Sequence, residues 1–346
     1  MGHRFFQRLK IAHSNLIMKA PKSLEINRGL NITHEMAENH LDELATEINL
    51  AGIGDLNREA PGEWYGVIDG RRIIFHDETS QMVNNGPDVF SKTKVFGMKG
   101  ESSNKLVRVN RDCITVQPFT DGIHRLCQFI FSDTGLMSHM APVECIEGIE
   151  NPLITVNQSG TTDGKTLLAA YQSLYEILKK EEVPLPVIIV TDGQSARFDL
   201  NVLQFLQNSM MWLFILYPDT SGATQMHDQV NAALHAQYET EKAAMYSNWA
   251  TLDREAFMKI MSVAWEKWSS PAQLREAAKR VGISALTGIN VNWMQQDKFL
   301  LAESILHPPT RDVTWAPFQP KSPAYVYRRG LIRQWHKCCG WSRSHP

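Results

Sequence analysis

"VIIVTDGQSARFD", residues 187–199, opens with five apolar or β-branched residues and runs straight into an acid. The run Val187–Thr191 does not alternate between apolar and polar residues. With Pro186 in front of it, that pattern predicts a short strand covered on both faces, as in the middle of an α/β sheet. Asp192 then falls at the carboxyl end of the strand. A carboxylate there is costly unless a cation or a hydrogen-bond donor meets it.

The elements on either side extend the pattern. "TLLAAYQSLYEILKK" (166–180) puts Leu167, Tyr171, Leu174, Tyr175 and Leu178 on one helical face. "LNVLQFLQ" (200–207) reads as a helix and "MWLFILYP" (211–218) as a further strand. Residues 225–246 read as helix, with Val230, Ala233 and Leu234 early in its stripe, and more helices follow to about residue 283. Upstream, "RRIIFHDE" (71–78) reads as a strand ending near Asp77. "CITVQPF" (113–119) and "LCQFIF" (126–131) read as a hairpin through "TDGIHR". "NITHEMAENHLDELATEINLAGIG" (31–54) is an amphipathic helix that Thr33 caps and Gly52 or Gly54 ends. Three strands in a meander, followed by two reached through helices, predict an α/β fold. Its sheet is mixed and five-stranded, with helices on its faces.

Bulk properties fit such a fold. Of 346 residues, 43% are hydrophobic and 21% charged. No apolar run approaches the roughly 18 residues of a membrane span, so no membrane is expected. Cysteines stand at 113, 127, 145, 338 and 339, an odd set without a CxxC, which argues against a disulfide framework or a zinc ribbon. The net charge is -2, but residues 1–30 hold six Lys or Arg against one acid, and residues 321–346 hold six against none. A basic front and tail on an acidic body either grip a polyanion or are simply solvated.

Three acids stand out by position. Asp77 ends the first strand, Asp192 the fourth, and Asp228 begins the helix after the fifth. If the first and fourth strands are parallel neighbours, Asp77 and Asp192 project at one carboxyl edge, where ligands of open α/β sheets gather. Crowded carboxylates repel one another unless a cation intervenes. Oxygen-only ligation suits Mg²⁺ or Mn²⁺. Two such ions, about 3.5–4 Å apart, can activate an attacking oxygen and stabilise a leaving oxygen of a phosphodiester.

The same strings carry a family resemblance. "FHDET" (75–79) resembles "N-x-DET", "TDGQSARFD" (191–199) resembles "DGHSSRFD", and "LYPDTSGATQMHD" (216–228) is similar to "LPPHTSHLLQPLD" without a gap. These are motifs of the DDE superfamily endonucleases of the pogo, Tigger and jerky type, the transposase lineage that also gave rise to centromere protein B. The spacings of 115 and 36 residues between the acids suit it, and the likeness runs from "RFFQRL" at residue 4 to "REAAKRVGI" near 282. The resemblance implies an RNase-H-like catalytic core, metal-dependent cleavage and joining of DNA strands, and a nuclear location. Asp77, Asp192 and Asp228 would be the ligands of two Mg²⁺ or Mn²⁺ ions. Water, and later a DNA 3′-hydroxyl, would be the nucleophiles, with assembly as a homo-oligomer on DNA. Gln194 stands where the family has His, Met226-His227 where it has Pro-Leu, and Asp219 where it has His or Asn. The front of the chain resembles the last part of the family's helix-turn-helix half. The expected divisions are a helical N-terminal segment (1–69), a DDE core (70–250), C-terminal helices (251–300) and an irregular basic tail (301–346).

Other residues keep two readings. Glu78 is either a ligand in its own right or solvent-facing. Arg197 contacts DNA phosphate, neutralises the acids or pairs with Asp199. His227 shuttles protons or is a solvated helical residue. Lys92, Lys94, Lys99, Lys105, Arg108 and Arg111 face only Glu101 across a long polar stretch, and line a DNA channel or a solvated loop. "GQSAR" (193–197) faintly matches a hydrolase nucleophile elbow with Ser195 as nucleophile, but Arg197 stands where that turn needs a small residue. The alternative outside enzymes is a transposase core recruited to bind DNA or chromatin without catalysis.

Overall fold

The computed structural model describes residues 31–82, 113–132, 148–245, 252–268, 270–296, 298–299 and 302. Both basic termini lie outside them.

Helix α1 (His34–Leu50) starts where Thr33 Oγ1 accepts from the Met36 amide at 3.1 Å. It buries Leu41, Leu44, Ala45 and Ile48, the stripe expected from the sequence. Strands β1 (Asn57–Ala60) and β2 (Glu63–Tyr65) follow as a hairpin. Then come β3 (Ile73–His76), β4 (Thr79–Met82), β5 (Cys113–Thr120), β6 (His124–Ser132) and β7 (Pro152–Asn157). Helix α2 (Gly164–Lys180) leads to β8 (Val187–Thr191), and α3 (Leu200–Asn208) to β9 (Met211–Ile215). After a one-turn helix, Ser221–Thr224, come α4 (Asn231–Met245), α5 (Arg254–Trp268) and α6 (Pro271–Lys279), then β10 (Ile283–Ser284) and β11 (Gly288–Asn290).

The main sheet has the order β7-β6-β5-β3-β8-β9, with β4 also paired to β5. β3, β5 and β6 form an antiparallel meander, while β8 lies parallel to β3 on one side and to β9 on the other. Counted from the meander, the order is third, second, first, fourth, fifth, which is the RNase-H-like arrangement. The sheet has seven strands where the sequence predicts five. β4 continues the line of β3, and β7 joins parallel to β6 as a partly exposed edge. Its exposure is why it gives no buried alternation to read.

Side chains alternate through the sheet to different layers. Val187 and Ile189 pack with Ile74, Phe119 and the apolar stripes of α2 and α3. Ile188 and Val190 pack with Ile73, Phe75, Phe214 and α1 on the other side. Every residue of β8 is buried, as its unbroken apolar run requires. Ile114, Val116, Phe129 and Phe131 form a third layer with α4 and α5. Arg72 ties two layers together. Its guanidinium donates to the carbonyls of Ala51 and Gly52 after α1 and of Pro186 before β8, at 2.8–3.2 Å.

A second, four-stranded antiparallel sheet has the order β1-β2-β11-β10. It adds strands to the segments expected as helical, 1–69 and 251–300, because Glu63–Trp64 of β2 pair with Ile289–Asn290 of β11 across most of the chain. Asp42 on α1 anchors it. Its carboxylate accepts from Trp64 Nε1 (2.7 Å), the Gly62 amide (2.9 Å) and Arg58 (2.7 Å). No described helix is long and apolar enough to cross a membrane.

Candidate active site

β3 and β4 are one strand interrupted once. Phe75 and His76 pair with Thr120 and Phe119, and Thr79–Met82 pair with Val116–Cys113 in the same register. Carried through, that register sets Asp77 opposite Pro118 and Glu78 opposite Gln117. Proline has no N–H for the ladder, so pairing lapses where the two acids stand. Because β3 and β8 are parallel, this lapse and the end of β8 share one edge. One carboxylate oxygen each from Asp77, Glu78 and Asp192 lies within 4.8 Å of the other two.

Asp228 is outside that trio. It stands exposed in the single turn His227–Gln229 ahead of α4. Two neighbours hold this segment to the edge. Gln225 Nε2 donates to the His76 carbonyl at 3.0 Å, and His227 Nε2 shares a 3.2 Å hydrogen bond with Thr120 Oγ1. The charge of Asp228 reaches Asp77. Burial, and then repulsion from Asp228, Glu78 and Asp192, hold the Asp77 carboxyl well above the usual carboxylate range.

Arg197 is the internal counter-charge. It is fully buried in the turn Ser195–Phe198. Nη2 donates to both oxygens of Glu78 at 2.9 and 2.8 Å, and Nη1 donates to Gln194 Oε1 at 2.8 Å. Nη1 also lies 2.8 Å from Asp192 Oδ1. Gln117 Nε2 adds a bond to Glu78 Oε1 at 3.1 Å and reaches Thr162. Burial raises the Glu78 carboxyl while Arg197 opposes the rise. Burial, and then the Arg197 charge, keep His76 well below its ordinary range, so it is a neutral ring stacked on Phe119 with centroids 4.1 Å apart.

The structure thus separates the sequence readings. Asp77 and Asp192 meet, and Glu78 meets them instead of facing solvent. Arg197 neutralises the acids. Being wholly buried, it offers no face to a DNA phosphate, and Asp199 is occupied capping α3 through the Asn201 amide at 2.9 Å. His227 does not face solvent. It is buried, and burial pushes its pKa down to about 3. Ser195 is exposed at the start of that turn and makes no bond to a histidine among the described residues, so the nucleophile-elbow reading has no geometric support. Lys92, Lys94, Lys99, Lys105, Arg108 and Arg111 lie outside the described residues. Gln117, Thr120 and Gln225 were not singled out from sequence. A glutamine inside the apolar run "CITVQPF" was the available signal, since a buried amide must have partners.

The donor set fits a hard divalent cation. All three converging ligand atoms are carboxylate oxygens, and burial first, then repulsion from Asp228, Glu78 and Asp192, disfavours the charge on Asp77 that a cation would stabilise.

No family model and no curated protein matches the sequence. Among solved structures, the fold is similar to a Mos1 transposase paired-end complex with the left transposon end. The identity is 13% and the TM-score 0.39, over 77% of this chain and 68% of that one. It is also similar to the Mos1 mariner paired-end complex with Mn, at 13% identity and TM-score 0.39, over 78% and 69%. For the catalytic domain of Mos1 mariner transposase the values are 11% and 0.33, over 75% and 96%. The strand order given above is what assigns the RNase-H-like fold.

Proposed function

We propose that this chain is a metal-dependent DNA endonuclease of the transposase type, of the pogo, Tigger and jerky kind, which cuts and rejoins strands. The observation that carries the reading is the meeting of Asp77 and Asp192 from two parallel strands at one carboxyl edge, where the sheet ladder lapses. Asp77 and Asp192, with Asp228 from the segment pinned beside them, would hold Mg²⁺ or Mn²⁺, two ions on this reading. Such ions supply the charge that activates an attacking oxygen and stabilises a leaving one. The chain's own part is to fix those oxygens. The β3–β8 pairing sets the distance between Asp77 and Asp192, Gln225 and His227 carry Asp228 in, and Arg197 offsets part of the negative charge. DNA as substrate rests on the three family-like strings and on the basic stretch from Lys92 to Arg111. A homo-oligomer on DNA in the nucleus belongs to the same proposal.

A nicking assay on supercoiled plasmid tests it. The full chain should convert plasmid to nicked circle in Mg²⁺ or Mn²⁺ and not in Ca²⁺. Asp192→Asn should abolish nicking with the melting curve kept, because shape is retained and charge removed. Tight DNA binding without nicking in any of these ions would replace the enzyme with a recruited DNA-binding protein.

A further inference from the structure

Glu78 belongs to the trio of converging carboxylates, yet its bonding capacity is largely taken. Oε1 accepts from Arg197 and from Gln117, and Oε2 accepts from Arg197. Through the same guanidinium, Asp192 is held by one oxygen. Its Oδ1 faces Arg197 Nη1 at 2.8 Å and the Gln194 amide at 3.3 Å, while Oδ2 makes no bond among the described residues. Glu78 lies in the break between β3 and β4 and Asp192 just past the end of β8, and Arg197 is the rigid fork that spans them. One guanidinium nitrogen, Nη2, serves Glu78 and the other, Nη1, serves Asp192, a planar two-pronged reach that an ammonium lacks.

We infer that Arg197 is a positioning residue for the cation site: anchored on Glu78, it fixes Asp192 with Oδ2 turned to the ion, and it withholds Glu78 from serving as a ligand. The inference rests on the nuclease reading and adds to it. It divides the three converging acids into ligands (Asp77, Asp192) and an anchor (Glu78). It also makes a counter-intuitive demand. Arg197 is a positive charge next to a cation site, so by charge alone its removal should tighten cation binding. If its role is to preorganise Asp192, removal should weaken binding.

Calorimetric titration of the full chain with Mn²⁺, without DNA, decides between these. Parent, Arg197→Gln, Arg197→Lys, Glu78→Gln and Asp192→Asn are compared, with circular dichroism to verify the fold. Arg197→Gln should weaken Mn²⁺ binding roughly 10–100-fold, the usual effect of losing a residue that orients a metal ligand. Arg197→Lys, which keeps charge but lacks the fork, should change in the same direction. Glu78→Gln should fall between parent and Asp192→Asn. Equal or tighter binding in the Arg197 variants overturns the positioning role. Where the arginine variants fail to fold, Glu78→Gln decides: binding equal to parent overturns the role, and a loss as deep as that of Asp192→Asn makes Glu78 a ligand and overturns it as well. A parent chain that binds no Mn²⁺ sinks the nuclease reading along with it. A parent whose binding is abolished by Asp192→Asn but unaffected at Arg197 sinks this inference alone.

Discussion

Gln225 Nε2 lies 3.0 Å from the main-chain carbonyl oxygen of His76, the residue just before Asp77. That bond joins the segment carrying Asp228 to the strand carrying Asp77, two stretches that share no sheet pairing. Gln225→Leu removes a buried hydrogen bond to that carbonyl, which costs about 1 kcal/mol. A urea titration should show that loss. Nicking, where the parent shows it, should drop further than the stability loss explains, because Asp228 is no longer held to the edge.

Asp77 is destabilised by its own neighbours, since burial and then Asp228, Glu78 and Asp192 disfavour its charge. In chelator at pH 7, Asp77→Asn should therefore raise the melting temperature even as it abolishes nicking. Added Mg²⁺ should raise the parent's melting temperature and leave that of the variant almost unchanged, because a ligand that binds only the folded state stabilises it. A variant that melts below the parent in chelator would contradict the electrostatic account of the site.

His124 gives the fold an acid-sensitive window. Its ring packs on Trp265 and Trp268, with centroids 4.5 and 5.0 Å away, and burial lowers its pKa to about 4. An unfolded histidine titrates near 6.5. Between those values the unfolded chain takes up a proton that the folded chain refuses, so stability is full above the window and is lost as pH falls through it. His227, pushed down to about 3, adds loss of the same sign. Moving from pH 7.5 to 5 should cost about 2 kcal/mol through His124. Urea midpoints at the two pH values should show this difference shrinking in His124→Phe.

Gly288 admits no side chain. Its φ is +100°, and a Cβ there would lie 2.2 Å from the Trp64 carbonyl oxygen across the small sheet. Gly288→Ala should lose about 3 kcal/mol in chemical denaturation. The acids are on the other sheet, so the fraction that stays folded should keep the Mn²⁺ affinity of the parent.

What could be read from sequence followed from local, periodic signals. The unbroken run Val187–Thr191 marked a strand buried on both faces, Thr33 marked the start of α1, and the acids at two strand ends marked an edge. What could not be read depends on contacts distant in the chain. The second sheet pairs Trp64 with Ile289 through strands of two to four residues, too short to show a period. Arg197 kept several readings, neutralising the acids among them, because nothing in "GQSAR" says that Glu78, 119 residues away, is its partner. His227 looked solvated because its partner, Thr120, lies on a strand 107 residues back. In each case burial and pairing are decided by the tertiary fold, and local composition does not report them.

The rung that joins Met82 to Cys113 sets a boundary. Met82 and Cys113 are the paired residues on either side of 83–112, and the place of Asp77 is set by pairing within the described residues. Closing the gap with a tight turn should leave the carboxylate geometry as it is while removing Lys92, Lys94, Lys99, Lys105, Arg108 and Arg111 together. On the proposed reading, that one excision would separate contact with a polyanion from capture of a cation.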